Sequence, residues 1–494
     1  MPSAANNMAD FYLFSKARDR RAIIGDTTTW NYGQVADLTS SYMSLLTEAG
    51  VKPGERVPMV MVDGPDYAAV LLAVVAIGGV AVMINPELRS DHLATILEQA
   101  AAPVAIVRDR FASRVEGAMP SPTTVIEVGE TLSPPEPMPV ASAMPVSKAD
   151  PALWLFSGGT TGAPKIVVQT HGSFVNTTKR YAQETLVYRS DDVTIAVPRL
   201  FFGYATGSAL LFPFSVGGST VLFDEPPTPV ALLQRIRRHR PTILITTPSA
   251  INGLLQEEDA TAADLESLRF ATSAGEALPE TLYHRWKERF GVELLDGLGT
   301  AEMWHIFITN TIDSLRPGTV GRAVPGFEVS CRDEEGNELG TDEVGLLWVR
   351  GDSEALGYFG QPELTAQVFR GGWVITGDLI SIDADGYVTH RGRADDALKV
   401  KGKWFRPQEV ESCLLEHPAV REAAVIGVAD ESGLVKPVAF VVRSAEVDES
   451  ALKDHVLARL EPYKHPRQVI FLDKFPLTHL GKVDRGALRR WIEQ

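Results

Sequence analysis

Nine consecutive residues, Ser157-Gly158-Gly159-Thr160-Thr161-Gly162-Ala163-Pro164-Lys165, combine three glycines with three hydroxyls and one cation. Glycine lets a backbone come close to an anion, hydroxyls and backbone N–H groups donate to it, and a lysine offsets its charge, so this composition suits a polyphosphate. The phosphate loop of kinases and NTPases needs Gly-Lys-Ser/Thr, whereas Lys165 follows Pro164 and precedes Ile166, which disfavours that class. Taken alone, the same residues would also make a surface turn with a solvated lysine. The segments that accompany the loop decide between these readings.

Those segments are Ser273-Ala274-Gly275-Glu276-Ala277, Asp296-Gly297-Leu298-Gly299-Thr300-Ala301-Glu302, Thr376-Gly377-Asp378-Leu379, the run from Gly392 to Lys399, and Leu480-Gly481-Lys482-Val483. With the loop, and in this order, they resemble the adenylate-forming superfamily of acyl- and aryl-CoA synthetases, luciferases and adenylation domains. Within it, Leu200-Phe201-Phe202-Gly203-Tyr204 and Glu302-Met303-Trp304-His305-Ile306-Phe307 look most like benzoate-type aryl-CoA ligases. The chain departs from the common pattern at Gly158, Ile166 and Ala301, where many members carry serine, glycine and threonine.

The resemblance implies a role for each matched residue. Ser157, Gly158, Gly159, Thr160, Thr161, Gly162, Lys165 and Thr300 would bind the ATP phosphates. Glu302 would hold Mg2+, an ion that takes one or two carboxylates together with phosphate oxygens. Gly275, Glu276, Asp296, Gly297 and Leu298 would frame adenine, and Asp378, assisted by Arg393, would accept the ribose hydroxyls. Lys482 would contact the reacting carboxylate and the α-phosphate, where positive charge must meet a developing anion. Phe202, Gly203, Tyr204, Ala274, Met303 and His305 would line the acyl pocket. Asp395 matches the hinge, and Lys399, Lys401 and Gly402 would line the CoA channel. Each residue also has a plainer reading: Lys482 and Glu302 as solvated side chains, Asp378 with Arg393 as a structural ion pair, the pocket set as ordinary core.

The reaction implied is acid plus MgATP giving acyl-AMP and pyrophosphate, then a pantetheine thiol giving the thioester and AMP. The segment Phe201 to Tyr204 lacks the aspartate with which amino-acid-activating relatives hold the substrate ammonium, so an acid without an α-amino group is expected, and Gly203 beside Phe202, Tyr204 and Trp304 would admit an aromatic or bulky alicyclic one. CoA is the expected acceptor, with carrier-protein phosphopantetheine as the alternative and an acyl carrier protein or downstream acyltransferase as a partner. A non-catalytic nucleotide-binding relative is the reading from another class, and intact Lys482, Glu302 and Asp378 argue against it. The run Arg235-Ile236-Arg237-Arg238-His239-Arg240 is read as helix-surface charge in preference to a CoA-phosphate site.

These groups need a large scaffold. The chain has 494 residues, 45% hydrophobic and 22% charged, as soluble globular proteins do, with a formal charge of −16 that disfavours nucleic acid and anionic membranes as partners. Its two cysteines, Cys331 and Cys413, lack disulfide or zinc spacing and fit a reducing cytoplasm. Neither a secretory signal nor a membrane span is predicted, because the apolar run Ala68 to Ile84 is interrupted by Gly78-Gly79 and reads as a buried helix followed by a buried strand. Monomer and homodimer both stay open.

Strand-like runs at Val57 to Val62, Val80 to Ile84, Val104 to Val107, Trp154 to Phe156, Thr194 to Val197, Thr220 to Phe223 and Ile243 to Thr246 alternate with amphipathic stretches. This pattern predicts an α/β fold with largely parallel strands. The proline-rich segment Leu132 to Val146 reads as an extended surface connection. The expected organisation is a large N-terminal region over 1–394 built of α/β subdomains, with a β-rich subdomain at about 320–394, and a small, mobile α+β domain over 395–494. In the last, strands are expected near Ala397 to Val400, Glu422 to Val428 and Val438 to Val442, and helices over Pro407 to Glu416 and Glu449 to Leu460.

Overall fold

Runs of valine, isoleucine and leucine with both faces buried become the inner strands of two large sheets, as expected of parallel strands covered by helices. The computed structural model describes every residue except 1–2, 4–5, 120–122, 132, 134, 138, 140–141, 158–164, 395–397, 401–402, 406, 430–434, 477–482 and 493–494, and the side chains of 398–400, 403–405, 429 and 435. One sheet has six strands in the order Thr124–Val128, Val104–Arg108, Arg56–Val60, Val80–Ile84, Pro151–Ser157, Lys165–Thr170. All neighbours are parallel except the final pair. The other has nine strands, parallel through Leu294–Gly299, Phe270–Ser273, Ile243–Thr246, Val193–Ala196, Ser219–Val221 and Arg21–Ile24, with antiparallel strands at both edges.

The apolar run from Ala68 divides as its glycines predict. Pro65–Ala76 is a helix with proline in its first turn and Asp66 at its positive end, and Val80–Ile84 is a strand buried at every position. No helix among the described residues is long and apolar enough to cross a membrane.

Beyond residue 320 the strands shorten. Phe327–Arg332, Gly345–Gly351, Phe369–Arg370, Trp373–Ile382 and Val388–Arg393 form a five-stranded sheet. Its two acidic turns close as their composition suggests: Asp333 Oδ1 accepts from Asn337 N at 2.7 Å, and Asp383 Oδ1 from Asp385 N and Tyr387 N, each at 2.9 Å.

The last hundred residues build a three-stranded sheet in which Val420–Ala429 pairs antiparallel with Val435–Arg443, which pairs parallel with Gln468–Leu472. Alternate residues of these strands pack on opposite faces. Val425, Ala439 and Val441 meet the helices Pro407–Leu415 and Glu449–Leu457, while Ala424, Ile426, Val438 and Phe440 meet Leu488 of the helix Arg485–Ile492. The strand Gln468–Leu472 and the helix Arg485–Ile492 go beyond the elements expected from sequence.

Val420–Ala429 is an edge strand, and its outward backbone at Val425 is capped by an ion pair. Glu411 Oε1 accepts from Val425 N at 2.6 Å, Arg485 Nη1 donates to Val425 O at 2.7 Å, and the two side chains bind each other at 2.6 and 3.0 Å. Replacing Arg485 by alanine leaves a mostly buried carboxylate without its cation, and unfolding of the full chain in denaturant should show a loss of about 3 kcal/mol. Lysine, which cannot make the bidentate contact, should recover only part of it.

Candidate functional site

Ser157 ends one strand and Lys165 begins the next, and the two residues face each other in an antiparallel pair, so the ends of the glycine-rich loop are pinned. The loop residues Gly158, Gly159, Thr160, Thr161 and Gly162 lie outside the described residues. Ser157 Oγ is buried without a partner among the described residues, a donor that a phosphate oxygen would satisfy. The Lys165 ammonium stands 5.6 Å from the centre of the Tyr358 ring.

Tyr358 connects that strand to Glu302. Its hydroxyl donates to Glu302 Oε1 at 2.7 Å. The segment 355–359 runs beside Lys165–Thr170: Leu356 N donates to Val168 O at 2.9 Å, Val168 N to Gly357 O at 3.1 Å, and Phe359 N to Ile166 O at 2.9 Å. Ala355 N donates to Glu302 O at 2.9 Å, and Gln169 Nε2 to Ala301 O at 2.7 Å. Glu302 lies in a single 3-10 turn, Ala301–Met303, capped by Thr300, whose Oγ1 accepts from Met303 N at 3.3 Å. The Thr300 hydroxyl, expected at phosphate, accepts here and keeps its own proton to donate.

Trp304 follows at φ +62°, ψ −51°, and His305 N donates to Met303 O at 2.8 Å. This is a γ-turn of the strained hand, a conformation that a bulky residue holds only where its surroundings impose it. The indole is 2% exposed and its ring centre lies 3.9 Å from that of Phe174. Packing thus holds the strain at the point where the chain passes from the carboxylate of Glu302 to the aromatic interior.

Asp378 sits opposite Arg393 in the β-rich sheet and is 5% exposed. Burial pushes its carboxyl up, but His390 Nε2 at 3.2 Å, Arg393 Nη1 at 3.3 Å and Thr376 outweigh this and hold it below the usual carboxylate range. Gly377 has φ +75°, and a Cβ there would lie 3.0 Å from Arg393 Nη2, so glycine lets the guanidinium approach. Gly275 has φ +88° and faces open space. Glu276 Oε2 accepts from Ser249 Oγ at 2.6 Å and Ser249 N at 3.1 Å, which ties this edge to the helix Pro248–Gln256. Asp296 is buried, and this pushes its carboxyl well above the usual range against the opposing pull of Ser273; its Oδ1 has no hydrogen-bond partner within normal distance among the described residues. Gly297 is buried beside it in the same strand and Leu298 is partly exposed.

Of the expected acyl-pocket residues, Tyr204 lies against His305, their ring centres 5.5 Å apart. Tyr204, in the turn Gly203–Ala205 that Phe202 precedes, bonds Thr272 Oγ1 through its hydroxyl at 2.7 Å. His305 Nε2 is 3.1 Å from both Tyr204 O and Ser208 Oγ. A carbonyl only accepts, so Nε2 carries the proton and Nδ1, buried without a partner, is a bare acceptor. Burial holds the His305 pKa down at about 3. The ring packs on Phe212 at 4.7 Å, and a Cβ on Gly207 would come within 2.5 Å of its Cδ2. Met303 and Ala274 are buried, and a Cβ on Gly203 would touch Leu155 Cδ1 at 3.3 Å.

Of the C-terminal candidates, Lys482, Asp395, Lys401 and Gly402 lie outside the described residues. Lys399 lies in the hairpin of Leu398–Val400 with Lys403–Phe405. In the arginine-rich helix Pro229–His239 the exposed Arg237 pairs with Asp259 and Asp264, whereas Arg235, expected on the surface, is buried and pairs with Asp26 and Glu225. Arg240, just past its end, pairs with Glu266.

The chain was then compared with known proteins. The pattern for AMP-binding enzymes matches residues 14–359, and that for the AMP-binding enzyme C-terminal domain matches 409–482. The sequence is 37% identical to the benzoate–CoA ligase of Thauera aromatica, over 99% of this chain and 95% of that one. The structure is similar to that of an anthranilate CoA ligase in complex with anthranoyl-AMP (TM-score 0.91, 34% identity, 99% of this chain and 98% of that one). It is also similar to a benzoate CoA ligase from Burkholderia xenovorans LB400 (TM-score 0.89, 35% identity, 98% and 99%). With the adenylate-forming motifs seated on this scaffold, the chain belongs to the family of AMP-binding enzymes.

Proposed function

We propose that this enzyme joins an aromatic carboxylic acid to CoA, first forming the aryl-AMP with release of pyrophosphate and then the thioester with release of AMP. What supports the acid class is the uncharged character of Phe202, Tyr204, Met303 and His305, of which Tyr204 and His305 lie against each other and His305 is held neutral by burial. None of the six pocket residues is anionic, so nothing there would hold a substrate ammonium. The benzoate and anthranilate specificities of its relatives agree with an aryl acid.

Mg2+, held by Glu302, would draw charge from the phosphate oxygens. Lys165 and the pinned loop would bind the outer phosphates, Asp378 with Arg393 the ribose, and Lys482 would meet the developing charge between carboxylate and α-phosphate. The domain from 395 onward would turn about Asp395, removing Lys482 from the site and bringing the segment of Lys399, Lys401 and Gly402 to a pantetheine arm. That arm belongs to CoA in this reading and to a carrier protein in the alternative. The buried, unpaired Cys331 and Cys413 fit a reducing cytoplasm.

Acid-dependent exchange of labelled pyrophosphate into ATP tests the first step, with benzoate, hydroxybenzoates, aminobenzoates and alicyclic acids as the panel; no exchange with any of them would refute the reading. Mass detection of the aryl-CoA identifies the acceptor. Lys482→Ala should lower adenylation by roughly 10²–10³ while thioester formation from supplied aryl-AMP proceeds near the normal rate.

His305 also makes a prediction about pH. With a folded pKa of about 3 against about 6.5 in an open chain, unfolding takes up a proton below pH 6.5, so stability falls as the pH drops from there toward 3. His171, held by burial at about 4, acts in the same direction. Each should add about 1.4 kcal/mol per pH unit to the slope of unfolding free energy, and His305→Gln should remove one such increment.

A further inference from the structure

Beside the phosphate-loop strand, and bonded to the carboxylate of Glu302, stands a side chain outside every motif quoted above. We infer that Tyr358 is a positioning residue for the magnesium–nucleotide complex, aiming the Glu302 carboxylate at the metal and keeping Lys165 at the phosphates. This rests on the reading that Glu302 holds Mg2+.

Tyr358 is itself fixed. It is 7% exposed, its N donates to Thr365 Oγ1 at 2.9 Å, and its O accepts from Gln361 N at 3.2 Å. Its ring meets Phe369 edge to face at 5.7 Å, and its backbone bridges Val167. Its hydroxyl bonds Glu302 Oε1, which sets the plane of the carboxylate and leaves Oε2 to a cation. Magnesium demands near-ideal geometry, so a carboxylate with a preset plane binds it at lower ordering cost. The face of the same ring meets the Lys165 ammonium, which attracts the cation without neutralising it. A salt bridge at that position would compete with phosphate for the lysine. A ring holds it more weakly and can release it.

Three variants separate this role from a structural one. Tyr358→Phe keeps the ring and removes the hydroxyl, Tyr358→Leu removes both, and Glu302→Gln gives the reference for a lost metal ligand. Calorimetric binding of MgATP without acid should weaken about tenfold in Tyr358→Phe, while binding of ATP in a chelator matches the unaltered enzyme. The half-saturating Mg2+ concentration in pyrophosphate exchange should rise by a similar factor, with excess Mg2+ restoring the rate and the unfolding temperature unchanged. Tyr358→Leu should in addition weaken ATP binding in the chelator. Unaltered Mg2+ dependence in the phenylalanine variant, or an equal loss with and without Mg2+, would overturn the inference, the latter marking a structural role. If the unaltered enzyme shows no acid-dependent exchange, the catalytic reading fails instead, and the calorimetric contrast still decides whether Tyr358 serves Glu302.

Discussion

A carboxylate and a triphosphate repel each other, and an enzyme that joins them must supply positive charge at one point of a chain whose own formal charge is −16. Two unit charges 4 Å apart interact by about 4 kcal/mol at the effective dielectric of a protein surface, so the placing of a few cations outweighs the net charge. The scaffold meets this constraint by concentration. Two of the three arginines of the Pro229–His239 helix, Arg235 and Arg237, pair with neighbouring carboxylates, whereas Lys165 rests against a ring. A cation against a π face keeps most of its charge available to an arriving anion.

The second requirement is that segments far apart in sequence arrive in register. Strand Lys165–Thr170 does most of this, pairing on one side with Pro151–Ser157 and on the other with the segment 355–359. A slip of one residue in either pairing would turn every side chain to the opposite face and separate Tyr358 from Glu302. The strained turn at Trp304 solves a related problem. It lets Glu302 remain partly exposed while Met303 and His305, next to it in the chain, are buried. Sheet hydrogen bonds and aromatic packing together hold a geometry that the local sequence alone would not adopt.

This difference explains what could be read from sequence. Val80–Ile84 and Ile243–Thr246 were legible to the residue because strands buried on both faces must be apolar throughout, and Gly and Pro bound them. The acidic turns were legible because their constraints are local. The short strand Gln468–Leu472 was not, since apolar runs of that length are ambiguous, nor was Arg485–Ile492, whose many charges conceal a narrow apolar face. Tyr358, His390 and Gly207 carry no local signal at all. Their roles exist only once the 355–359 segment lies on its strand, Val388–Arg393 pairs with Trp373–Ile382, and His305 is folded against residue 207.

The neutrality of His305 completes the electrostatic argument. A protonated imidazole deep in the pocket would attract the substrate carboxylate and draw the acid in with the wrong end first. Burial prevents this: with its pKa at about 3, the ring is uncharged at any pH where the enzyme would work, and it offers polarity without charge. In the proposed reading, the described residues assigned to the acyl pocket present no cation, and the attraction for the carboxylate would come from Lys165 and the magnesium ion. An aryl acid would then lower its free energy most by burying its ring against Phe202, Tyr204 and Met303 and leaving its carboxylate outward, the orientation that attack on the α-phosphate requires. Charge at one end and its exclusion from the other would thus orient the substrate before any catalytic group acts.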